Sequence, residues 1–79
     1  MATNIQKQSG VVSITVGSAM PRYFPSGDKS YYFSEDGTIL YVIFGTIQFN
    51  ITFSDLRING LTPPTVSAAD TLLRVVFGT

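Results

Sequence analysis

The side chains that come closest to a catalytic or metal-binding set are five carboxylates: Asp28, Glu35, Asp36, Asp55 and Asp70. General acid–base work needs two of them to converge, and a hard-cation site needs two or three. Nothing in their spacing implies that. Glu35 and Asp36 stand beside Gly37 and read as turn chemistry. Asp55 stands just past a strand-like segment, and Asp70 falls near a helix start. The sequence contains no histidine and no cysteine. That removes the commonest general base and metal ligand, together with thiol nucleophiles, zinc–thiolate sites and disulfides. The glycines match neither a dinucleotide fingerprint nor a phosphate loop. The expectation is a protein that is not an enzyme, with no catalytic, cofactor-binding or metal-binding residue, no cofactor and no small-molecule substrate.

Charge points the same way. Five cations (Lys7, Arg22, Lys29, Arg57, Arg74) balance the five anions, and charged residues make up 13% of the chain, against about 25% in an average globular domain. The cations are scattered, whereas a nucleic-acid surface gathers them on one face. Tyr31, Tyr32 and Phe33 could stack on bases, but only Lys29 lies nearby, so core or interface packing accounts for those rings better. The longest apolar run, Ile39 to Phe44, suits a buried strand and falls far short of the ~20 residues a membrane helix needs. Residues 1–10 are polar and do not read as a signal peptide. Asn50-Ile51-Thr52 has the spacing of a glycosylation acceptor, but it sits inside an alternating strand and is discounted. A chain of 79 residues makes one domain whose core is small enough to need support. With disulfides and metals excluded, the support left is partners: other copies of the chain or a larger body.

The elements that would position any such contact follow from periodicity. Residues 1–9 are polar around a single Ile5 and read as an N-terminal arm, ahead of one β-rich domain over 10–79. Val11 to Val16 alternates, with Val12, Ile14 and Val16 on one face. Pro21-Arg22-Tyr23-Phe24-Pro25 is held extended by its prolines, and Ser26-Gly27-Asp28 is a turn. Lys29 to Ser34 is strand-prone, Glu35-Asp36-Gly37 is a hairpin turn, and Thr38 to Phe44 is a buried strand. Gly45 interrupts it as a bulge or tight turn would. Thr46 to Phe53 places Ile47, Phe49, Ile51 and Phe53 in one row predicted to be buried, opposite Gln48, Asn50 and Thr52. That polar face could meet solvent or a polar protein surface. Asn59-Gly60 marks another turn.

The only convincing helix lies at about 65–77. Thr65 or Ser67 can cap it, Asp70 suits its positive end, and Arg74 suits its last turns. Gly78 is placed to stop it. The fold class is therefore mostly β: a small antiparallel sheet, sandwich or barrel-like meander with one C-terminal helix.

Two places offer contact surfaces. Arg22, Tyr23 and Phe24 could project from the Pro21–Asp28 loop, the alternative being that the aromatics fold back onto the core. The helix presents Val66, Ala69, Leu72, Leu73, Val76 and Phe77. One face packs on the chain's own sheet, and Val76 with Phe77 meets another subunit. The alternative is that all six lie in the chain's own core.

One stretch carries a resemblance. Residues 53–72 run strand, Asn59-Gly60, Pro63, Thr65-Val66, then a helix with Ala69 and Leu72. This is similar to the ending of small virion proteins of tailed phages, notably those of Bacteroidetes hosts, the crAss-like group among them. The resemblance covers about a quarter of the chain and carries over a scaffold element, not a site. It implies a repeated structural or decoration subunit of a capsid, neck, tail or fibre, located in the virion and held by homo-oligomeric or docking contacts with larger virion proteins. The other reading is a small cytoplasmic adaptor that binds through the Pro21–Asp28 loop or a sheet edge.

Overall fold

The computed structural model describes residues 2–8, 10–25 and 29–77. Among them run the strands β1 (Thr3–Gln8), β2 (Val11–Val16), β3 (Arg22–Pro25), β4 (Lys29–Phe33), β5 (Ile39–Phe44), β6 (Ile47–Thr52) and β7 (Leu56–Ile58). A 3-10 turn at Phe53–Asp55 separates β6 from β7, and the helix α1 (Val66–Val76) comes last. The protein is mostly β, as the periodicity predicts, with one C-terminal helix. A four-stranded sheet has the order β3-β2-β1-β7, and a three-stranded meander has the order β4-β5-β6. All neighbours are antiparallel except β1 and β7, which run parallel.

The turns follow their sequence signals. Gly45 sits at φ +60° in the two-residue connection that closes β5–β6 at Phe44↔Ile47, so it makes a tight turn and not a bulge. Asn59 and Gly60 both take positive φ, +51° and +78°. Ile58 and Leu61 exchange backbone hydrogen bonds across them, each 2.9 Å. Thr65 caps the helix, its Oγ1 accepting the Ala68 N–H at 3.1 Å.

The inner faces of both sheets and one stripe of the helix share a single core. Ile5, Ile14, Leu40, Val42, Leu56, Ile58, Leu73 and Val76 are its fully buried large side chains. The helix packs on β7 and β1, and Phe77 at its end stacks on Tyr31 of β4. Helix α1 therefore closes one flank of the two sheets.

Four expectations need correction. Residues 1–9 are not an arm, because Thr3–Gln8 forms β1 between β2 and β7. Ile5 is fully buried there. Asn4 ties the strand to the turn after β7, its Oδ1 accepting the Gly60 N–H at 2.8 Å, and the Ile5 carbonyl accepts the Asn59 N–H at 2.8 Å. Arg22–Pro25 is an edge strand paired to β2, not a loop; Ser26-Gly27-Asp28 and the stop at Gly78 lie outside the described residues. Asp70 does not serve the helix's positive end, since it falls beyond the first turn, where the dipole has faded. The predicted row is also uneven: Ile51 is buried, while Ile47 and Phe49 are half-buried, and Phe53, also half-buried, has left the strand for the 3-10 turn.

Candidate interaction surface

Strand alternation decides what Arg22, Tyr23 and Phe24 can do. Paired residues of an antiparallel ladder share a face, and the register pairs Phe24 with Val12 and Arg22 with Ile14, both core residues. Tyr23 pairs with Ser13 and turns to the opposite face, where it is exposed. The three residues therefore form no common contact surface, which corrects that expectation. Phe24 is buried and stacks on Phe44, centroids 4.2 Å apart. Arg22 lies at the rim with its guanidinium carbon 5.6 Å from the ring centroids of both Phe24 and Phe49, a cation–π arrangement. It caps this flank of the core.

Val76 and Phe77 are likewise interior, at 1% and 5% exposure, so they do not form a ready-made subunit contact. The reason is length. The helix runs one turn past Leu73, and that turn reaches the gap between the sheets, where Phe77 meets Tyr31 at 5.3 Å and Phe44 at 6.0 Å. The exposed apolar residue of this segment is Val75, on the other side of the helix.

What the strands do present outward is the unpartnered face of the three-stranded sheet. The register places Tyr32 beside Tyr41 and Asn50, Ser30 beside Ile43 and Gln48, and Ile39 beside Thr52. None of these eight side chains is charged. Tyr32 and Tyr41 stack with centroids 4.9 Å apart, and the Gln48 amide donates to Asn50 Oδ1 at 2.9 Å. The same alternation splits the aromatic triplet: Tyr32 faces out while Tyr31 and Phe33 pack on the core. Sequence reasoning had located the Gln48, Asn50 and Thr52 row, but the register alone sets it beside the tyrosine pair.

Titratable groups on either side of this sheet serve local structure. Asp36 Oδ1 accepts from Ser34 Oγ, Thr38 Oγ1 and the Thr38 N–H at 2.8, 2.8 and 3.1 Å. These bonds, the Ser34 hydroxyl first, hold its carboxyl at about 2, below the ordinary 3.8. Asp36 is thus an ionised turn residue and a poor proton donor near neutrality. A shallow open hollow lined by Ser34, Glu35, Asp36, Thr38, Ile39 and Tyr41 adjoins the turn. Tyr31 donates to Asp70 Oδ1 at 2.8 Å. Burial chiefly, then that bond to Asp70, raises the phenol above its ordinary value. Arg74 pairs with the other Asp70 oxygen at 3.0 Å. Among the described residues, no three acidic side chains gather where a metal ion could be held, and no helix is long and apolar enough to cross a membrane.

No family model, curated protein or solved structure matches the chain.

Proposed function

We propose that this protein is a non-catalytic structural subunit of a virion, a capsid, neck, tail, fibre or decoration component. It works through contacts with other copies of itself or with larger virion proteins. The observation that carries the reading is the uncharged, unpartnered face of the three-stranded sheet, bounded by β6, on a molecule whose own core is small. Stacked tyrosines, amides and hydroxyls suit a protein–protein contact, in which aromatic residues are favoured and charged ones depleted at the centre. The absence of a cation on that face disfavours a nucleic-acid backbone as its partner. The stretch that resembles small phage virion proteins forms the 3-10 turn, β7, the Asn59–Gly60 turn and the first two turns of α1. Its Leu56, Ile58 and Ala69 are completely buried, which supports a scaffold role for it.

The test has two arms. Sedimentation from micromolar to millimolar concentration should show a native mass that is a multiple of the 8.6 kDa chain. Mass spectrometry of purified particles from lysates that express the chain should find it at fixed stoichiometry. A chain that stays monomeric throughout and is missing from particles overturns the reading, and an adaptor role takes its place.

A further inference from the structure

The two sheets leave one flank that the helix does not close, and the edges β3 and β6 lie along it, joined by the contacts among Phe24, Phe44, Phe49 and Arg22. Exposed edges template pairing with another strand unless they are protected. β3 carries protection of two kinds: prolines, Pro21 just before it and Pro25 within it, and an inward-facing charge, Arg22. β6 carries none. Its sequence, Ile47-Gln48-Phe49-Asn50-Ile51-Thr52, has no charge, no proline and no glycine, a composition prone to strand pairing.

The phase of the ladder shows which backbone groups are free. Phe53 donates its N–H to the Thr38 carbonyl at 2.8 Å, in step with the Ile39↔Thr52 to Phe44↔Ile47 register. Antiparallel strands alternate hydrogen-bonded and non-bonded pairs. Ile47, Phe49 and Ile51 therefore turn their backbone groups to β5, and Gln48, Asn50 and Thr52 turn theirs outward.

We propose that β6 pairs antiparallel with β6 of a second copy about a two-fold axis at Asn50, making one continuous six-stranded sheet. This deepens the subunit reading and rests on it. Centring on Asn50 sets Gln48 opposite the partner's Thr52 and Asn50 opposite the partner's Asn50. All three outward residues are used, for about six backbone hydrogen bonds. On the inner face, Phe49 falls opposite the partner's Ile51. Polar meets polar, apolar meets apolar, and aromatic meets β-branched, the favourable cross-strand pairs. The half-buried state of Phe49 in the single chain has its complement in this contact. A strand with no charge of its own fits a copy of itself without repulsion or an unpaired charge. With extents of 29 × 27 × 22 Å, no flank exceeds roughly 800 Å², so the pairing buries at most about the area per partner of a standard interface. The dimer is accordingly concentration-dependent.

Sedimentation of the full chain, set beside Asn50→Lys and Asn50→Pro, tests this. Asn50→Pro removes an outward N–H, Asn50→Lys sets two like charges opposite each other at the axis, and both spare the β5 ladder. Circular dichroism checks that each variant folds. The expected result is a wild-type dimer and monomeric variants at every concentration where the wild type is dimeric. Hydrogen exchange on the unmutated chain gives an independent reading. The Gln48, Asn50 and Thr52 amides should be protected when concentrated and exchange on dilution, while those of Phe49 and Ile51 stay protected in both. Variants that keep the wild-type mass, or the three amides exchanging freely in the dimer, place self-association elsewhere. That overturns the β6 pairing and leaves the subunit reading standing. A monomeric wild type also overturns the pairing, and the particle arm above then decides the subunit reading. If the three amides become protected only in particles, the occupant is a strand from another virion protein.

Discussion

Replacing Phe77 by alanine separates a core role for the end of the helix from a contact role. Phe77 is 5% exposed, stacked on Tyr31 at 5.3 Å and 24°, and tilted against Phe44 at 6.0 Å. Its N–H donates to the Leu73 carbonyl at 2.8 Å, and alanine keeps that bond, so the change isolates the ring. Truncating a buried Phe costs about 3–5 kcal/mol, the lost transfer energy plus a cavity. Of this, the Tyr31 ring pair supplies about 0.5–1.5 kcal/mol. A chain of this length has about 4–12 kcal/mol of stability in all, so the variant should be marginal, with a melting temperature lower by roughly 12 °C or more. Urea unfolding followed by circular dichroism at low micromolar concentration reads the loss without a contribution from association. A double-mutant cycle with Tyr31→Leu should return the ring-pair share as a coupling energy. A loss below about 1 kcal/mol would refute the core assignment. So would lost self-association with the monomer's stability unchanged, because that is how an interface residue behaves.

Two further predictions address the first strand and the hairpin turn. Ile5→Ala should cost about 2–5 kcal/mol in the same urea assay, since Ile5 is fully buried in β1; a cost within about 0.5 kcal/mol would mean that residues 1–9 are an arm after all. Asp36 titrates at about 2 when folded against its ordinary 3.8, so its unfolded form binds protons more tightly. Its contribution is therefore whole above that ordinary value and is lost as pH falls toward about 2. Asp36→Asn should flatten this part of the stability–pH profile, and a profile parallel to that of the wild type throughout would show that the turn bonds do not favour the ionised carboxylate.

Period-two alternation over 46–53 and 11–16, the Asn-Gly and Asp-Gly pairs, and a capped three- and four-residue repeat near the end are local signals. Chain stereochemistry alone turns them into strands, hairpins and a helix, so the fold class could be read residue by residue. The split of Arg22, Tyr23 and Phe24 between two faces was implicit in the same alternation. It was hidden because two prolines in five residues read as a loop, when they also mark an edge strand. Only the tertiary structure decided the rest. β1 has one strongly apolar residue, Ile5, and becomes a central strand because a parallel partner from residues 56–58 arrives on its far side. No local pattern encodes a partner fifty residues away. Val76 and Phe77 became core rather than contact because the gap between the sheets lies where the last helical turn reaches. An apolar stripe has the same spacing whichever surface covers it. The candidate surface has the same origin. Gln48, Asn50 and Thr52 were legible as a polar row, but their place beside Tyr32 and Tyr41, on an edge strand, comes from strand order and register. Those are set by which faces must be buried together, not by any segment alone.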